Sequence, residues 1–369
     1  MDVKALDVQI GRLLWDGAAK GPVVVQAVGR AGGLRGMIDS AYVKGGFDAD
    51  MAAGRLSSIK ADLDFVKLSR LDEKAVASTD SWLDTLHPGS FPSLSLVGRH
   101  VLWHGFDVGR LQVEVDSQAR GIVLRSASLR SDNHELVVER GEWTRHGGTD
   151  RTHIAGTLKV KNSGMLAAEF GYPEFVRDTP AEVNYTLNWA ETPFGVSSAN
   201  LAGTVDMKLG KGALLKVDVG IGRFLGLFNV DALWRRLSLD FSDLFGAGMA
   251  YDGIAGKLDI AHGRAETKGF VIDGVAAKIV IDGGVKLATR EVDQVVTVIP
   301  NTSIALPVAG VLMGGPLGPA VGAAVGAGVF VADKMMDGQV ERLTQTRYRV
   351  EGSLDNPVIT KDSGDAPRE

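Results

Sequence analysis

Apolar and polar residues alternate with a period of two along much of this chain. Leu111, Val113 and Val115 alternate with Gln112 and Glu114, Val205, Met207 and Leu209 with Asp206 and Lys208, and Leu258 and Ile260 with Lys257 and Asp259. The pattern returns at Ile279 and Ile281 between Lys278 and Asp282, and at Tyr348 and Val350 between Arg347, Arg349 and Glu351. Neighbouring residues of a strand point to opposite sides, so each of these segments has one apolar and one wet face. Half-buried strands of this kind predict an antiparallel sheet. The turn clusters Lys44-Gly45-Gly46, Arg120-Gly121, His146-Gly147-Gly148 and Asp282-Gly283-Gly284 separate them at short intervals. Hairpin after hairpin is therefore expected. Alternation leaves two architectures open: a sandwich, in which apolar faces meet each other, and a single curled sheet whose apolar face stays available.

Three stretches depart from the pattern. Residues 72–90 are polar, lack alternation and end in Pro88-Gly89-Ser90, which predicts a linker with one helical turn. Residues 221–237 place Ile221, Phe224, Leu225 and Phe228 at helical spacing, and Asn229 or Asp231 could cap a second short helix carrying Leu233, Trp234 and Leu237. From Gln294 to Ala332 there is no charged residue, and Gly314, Gly318, Gly322 and Gly326 fall every four residues. That spacing lines glycine along one helix face, where another helix or lipid approaches closely. Pro307, Pro316 and Pro319 interrupt the run, so a helical hairpin over 306–340, buried or dipping into a membrane, fits better than a straight span.

Composition narrows the class. With 369 residues and 45% hydrophobic positions the chain is long enough for a large core, and 47 glycines with only 12 prolines suit many short strands and tight turns. Mean hydropathy is +0.06, which is high for a plain soluble enzyme. The absence of cysteine excludes disulfides, thiolate nucleophiles and thiolate zinc sites. Forty basic residues are dispersed among 45 acidic ones, leaving a formal charge of -5 and no phosphate-tracking stripe, so nucleic acid is not expected as a partner. The first twenty residues lack the basic start and apolar run of a signal peptide.

Candidate chemistry is sparse. Gly220-Ile221-Gly222 with Gly226 lacks the spacing and the acidic residue of a dinucleotide fingerprint. His100 and His104 would be about 13 Å apart on a strand, too far to share a metal. Asp48 with Asp50, and Asp62 with Asp64, resemble carboxylate pairs, but period two on a strand is also how a solvated face is written. No catalytic residue, cofactor or metal site is expected, and the chain is read as a non-enzyme.

The stretches FPSLSLVGRHVLWHGFDVGRL (91–111), LGKGALLKVDVGIGRFLGLFNVDALWRRLSLDFSDLFGAGMAYDGIAGKLDIAHGRAETKGFVIDG (209–274) and YRVEGSLDNPVI (348–359) together resemble the carboxy-terminal region of YhdP-type proteins of the AsmA-like clan. The resemblance covers about residues 91–359; residues 1–71 agree in style only. It implies a mainly β fold: a long curled antiparallel sheet, a taco-like β-groove with an apolar inner face, plus short helices near 221–237 and 306–340. The expected organisation is a groove segment over 1–71, a linker over 72–90, the carboxy-terminal groove region over 91–359 and a disordered tail over 360–369.

The same resemblance implies carriage of phospholipid across the periplasm towards the outer membrane. The inner-membrane anchor of such proteins would lie on a missing amino-terminal part, this chain being a fragment or split-gene product. Leu111, Val113, Val115, Val205, Met207, Leu209, Leu258, Ile260, Ile279, Ile281, Tyr348 and Val350 are then expected to line the lipid groove. Phe224, Leu225, Phe228, Trp234, Leu312, Leu317, Val321, Val325, Val329 and Phe330 are expected to contact a membrane, Trp234 beside Arg235 and Arg236 being suited to a headgroup boundary. Expected partners are phospholipid, a membrane on the outer-membrane side and envelope proteins. The alternative is a scaffold for outer-membrane assembly acting through protein contacts, with the apolar face closed into a core.

Overall fold

A computed structural model describes residues 4–10, 13–15, 18–68, 87–103, 105–118, 121–170, 176–215, 248–301, 345–354 and 356–362. The strands run in chain order as β1 (Ala5–Ile10), β2 (Leu13–Trp15), β3 (Ala18–Lys20), β4 (Val23–Arg30), β5 (Gly33–Ser40), β6 (Val43–Ala52), β7 (Arg55–Leu68), β8 (Ser93–Trp103), β9 (Phe106–Asp107), β10 (Arg110–Gln118), β11 (Gly121–Arg130) and β12 (His134–His146). They continue as β13 (Thr149–Val160), helix α1 (Ser163–Glu169), β14 (Val176–Arg177), β15 (Ala181–Trp189), β16 (Ala202–Leu209), β17 (Gly212–Leu215), β18 (Gly248–Ala261), β19 (Arg264–Gly274), β20 (Ala277–Lys286), β21 (Glu291–Pro300), β22 (Thr346–Ser353) and β23 (Asn356–Asp362).

Twenty-one of these strands form one sheet, and β2 with β3 makes a separate hairpin. Nearly every pair joins strands adjacent in sequence, as a chain of alternating segments and glycine turns requires. The short strands β9 and β17 pair beside the longer β8 and β18, and β14 pairs with β17. The rest form a spine from β1 through β4 to β23, about 80 Å along the sheet at about 4.8 Å per step. One junction breaks the antiparallel rule among the described residues: β7 and β8 are parallel, with Ser58 opposite Ser93 and Leu68 opposite Trp103. A parallel pair needs a crossover, because the chain must return to the end where it began. Most of the linker expected over 72–90 lies outside the described residues; at its end a 3-10 turn, Pro88–Ser90, is capped by His87 Nδ1 accepting from the Gly89 amide at 3.1 Å.

Bulges bend the sheet where glycine permits it. The register of β18 and β19 slips between Ala255 and Leu258, and there Gly256 lies under the ring of Phe270, where a Cβ would collide. Helix α1 was not foreseen from periodicity, because seven residues are too few to establish a helical repeat. Its signal is local: the Asn162 side chain accepts from the Met165 amide at 3.1 Å, an N-cap. The helices expected over 221–237 and 306–340 lie wholly outside the described residues.

The packed core is asymmetric. A cluster of buried residues runs from Leu214 and Met249 through Leu258, Phe270, Ile279, Ile281, Val296 and Val298 to Tyr348, Val350 and Leu354, joined by Ala167 and Val176. Along β8 to β16 the same face is mostly half-exposed.

Candidate functional site: the concave apolar face

Register fixes which side chains share a face, because directly opposed residues in a ladder point the same way. Leu111, Leu129, Leu136, Leu158, Val183 and Met207 stand opposite one another in succession from β10 to β16. Beside that row runs Val113, Ala127, Val138, Gly156, Tyr185, Val205 and Leu258. A third row joins Val115, Leu124, Gly141, Ile154, Leu187, Gly203 and Ile260. Leu209 leads through Ile254 and Ile272 to Ile279, and Ile281 through Val296 to Tyr348, while Val350 pairs with Ile359. All twelve residues expected to line a groove thus lie on one face of one sheet. The row Val8, Val25, Ile38, Gly45, Leu63 and Gly98 carries that face back to β1.

Exposure divides the twelve. Leu111, Val113, Val115, Val205, Met207, Leu209 and Ile260 are half-buried and reachable from outside. Leu258, Ile279, Ile281, Tyr348 and Val350 are buried in the core cluster, at 3% exposure or less. The ten residues expected at a membrane all lie in 216–247 and 302–344, outside the described residues. Those two segments connect β17 to β18 and β21 to β22, and leave from the same long rim of the sheet, nearest the row Leu209, Ile254, Ile272, Ile279 and Val298. Among the described residues no helix is long and apolar enough to cross a membrane.

The opposite face is charged and paired with itself. Arg30 bridges Asp48 and Asp50, Arg35 meets Asp48 at 2.8 Å, and Arg99 binds Asp62 and Asp64 at 2.7 and 3.1 Å. The carboxylate pairs singled out in the sequence are therefore occupied by guanidinium groups. Hydrogen bonds from Arg35 and Arg30 hold Asp48 below the ordinary carboxylate range, and those from Ser58 and Arg30 do the same for Asp50. His100 hydrogen-bonds Asp107 at 2.7 Å. Among the described residues no cluster of three metal-ligating side chains occurs.

Three aromatic contacts at the rims escaped sequence reasoning, because they join residues distant in sequence. Phe91 meets Trp143 edge-on at 5.8 Å, and the Trp143 indole donates to Asp150 Oδ1 at 2.8 Å. Arg145 binds the same carboxylate at 2.8 and 2.7 Å. Burial pushes Asp150 up, but the hydrogen bonds from Arg145 and Trp143 and the charge of Arg145 bring it below its ordinary value. At the other rim Phe170 packs against Trp103 and His134.

The sheet thus carries an apolar face on one side and a charged, largely self-paired face on the other. The model of the YhdP protein family matches residues 2–359. The chain belongs to the YhdP family. Its match includes the first seventy residues, which the sequence had tied to the family in style only. A relative in Escherichia coli (strain K12), the intermembrane phospholipid transporter YhdP, is 31% identical over 258 residues, 70% of this chain and 20% of that protein. The chain spans about a fifth of the length of this YhdP relative. No solved structure matches the chain with significance.

Proposed function

We propose that this chain is a segment of a phospholipid-conducting groove in the cell envelope, carrying lipid through the periplasm towards the outer membrane. The observation that carries the reading is the half-exposed apolar face from β8 to β16, which has no second sheet over it among the described residues. Acyl chains would supply that missing layer. Each methylene moved from water into such a face gains about 0.8 kcal/mol, so a two-tailed lipid is held firmly, and nearly equally at successive rows. Equal affinity along the rows lets lipid slide without an energy input at each step. The name of the Escherichia coli relative, an intermembrane phospholipid transporter, supports phospholipid as cargo. Phe224, Leu225, Phe228 and Trp234, with Leu312, Leu317, Val321, Val325, Val329 and Phe330, are proposed to touch the bilayer where lipid leaves. No chemical step is assigned to the chain.

Native mass spectrometry of the purified chain tests the reading: co-purifying glycerophospholipid with little headgroup selectivity is expected, and protein free of lipid after gentle purification overturns it. A scaffold with a closed core is the second reading, and the buried cluster around Ile279 and Tyr348 is what favours it.

A further inference from the structure

We infer that α1 and Phe170 form a strap across the concave face, closing the trough between β8 and β12 until it lifts. Trp103 lies on β8 and His134 on β12, with β10 and β11 between them. Three strand steps on a flat sheet span about 14 Å, yet the Phe170 ring centroid is 6.2 Å from both rings. Phe170 therefore packs against side chains of two strands that are not neighbours in the sheet. His134 is two residues from Leu136 on the apolar face, and Trp103 is two from Val101 on β8. Val101 and Val108 beneath this region are 1% exposed, whereas Leu96, farther along β8 on the same face, is half-buried.

The helix is clamped at its amino-terminal end and carries the Phe170 contacts at the other. Its root is clamped to the turn before β12: Asn133 Nδ2 donates to the Asn162 carbonyl and the Asn162 amide donates to Asn133 Oδ1, both at 3.0 Å. Its tip is held by the Phe170 ring contacts and by Glu169 Oε2, 3.3 Å from His134 Nδ1. At the tip His134 Nε2 and Glu169 Oε2 are buried without a hydrogen bond, as is Ser163 Oγ at the root, while His134 Nδ1 also meets Ser131 Oγ at 2.9 Å. Unsatisfied polar atoms under a short helix favour lifting, because the lifted form gives them water. Ala167 of α1 joins the packed cluster while Phe170 reaches the open side, so the strap stands between the two regimes of the face.

The proposal rests on the lipid-groove reading, and the test separates the two. A photoreactive benzoylphenylalanine is installed at the position of Trp103, under the strap, or of Leu96, clear of it, and the chain is incubated with vesicles of phosphatidylethanolamine and phosphatidylglycerol. Crosslinked phospholipid is expected at Leu96 and at least tenfold less at Trp103. Adding Phe170→Ala with Glu169→Ala should raise the Trp103 signal to the Leu96 level, and Glu169→Gln, which keeps the shape, should raise it part of the way. Crosslinking at neither position overturns the lipid reading. Equal crosslinking at both in the parent chain, or a Trp103 signal that neither variant raises while circular dichroism shows the sheet intact, overturns the strap.

Discussion

Ile281 on β20 stands opposite Val296 on β21, and the two expose 2% and 1% of their surfaces. Both belong to the buried cluster. The β20–β21 region is therefore built as packed core, and a carboxylate introduced there has neither water nor a counter-charge.

Ile281→Asp is expected to destabilise the chain by several kcal/mol, seen as a large fall in the thermal unfolding midpoint. Lys278, on the other face of β20, should tolerate alanine with a change of about 0.5 kcal/mol or less. An Ile281→Asp chain with the parent melting temperature would show that this region is open.

The groove test belongs instead at Val113, which is half-buried between Leu96 and Ala127. Val113→Asp should leave the melting temperature nearly unchanged and remove most of the co-purifying phospholipid. Glu114→Gln, one residue away on the wet face, where the Ser95 hydroxyl donates to it at 2.7 Å, should leave the lipid in place. Retention of lipid by Val113→Asp in native mass spectrometry would contradict the groove at this strand.

Part of the acid sensitivity should trace to Asp150, the most buried of the carboxylates held below their ordinary range. Its folded-state value lies below its unfolded one, so its contribution is present above about pH 4 and is lost as pH falls through the folded value. Asp150→Asn is expected to cost on the order of 2 kcal/mol at neutral pH and to flatten the acid limb of a stability profile measured by urea titration. Parallel profiles for the parent and Asp150→Asn would assign the acid response elsewhere.

Deleting residues 315–329 should abolish flotation of the chain with liposomes while far-ultraviolet circular dichroism still reports the sheet. Trp234→Ala should weaken flotation by less. Undiminished flotation in the deletion would assign that segment to internal packing.

Periodicity alone determined that strands such as β10, β16, β18, β20 and β22 exist and which of their residues share a face, because side-chain parity is a local property of the extended backbone. Gln112 and Glu114 against Val113 is enough to orient β10 wherever it sits. The quoted blocks around Leu209–Gly274 carried the family for the same reason: they are contiguous in sequence. Only the tertiary structure decided the parallel junction of β7 and β8, since strand direction depends on how the chain crosses over between them and leaves no mark on alternation. It alone decided that Val113 is half-open and Ile281 sealed, though both are written in the same period-two pattern. How deeply a face is covered depends on neighbours far away in the chain, such as Ala167 against the buried cluster and Phe170 against Trp103 and His134. A sequence read segment by segment cannot sum those contacts, and the curl of the sheet is what brings them within reach.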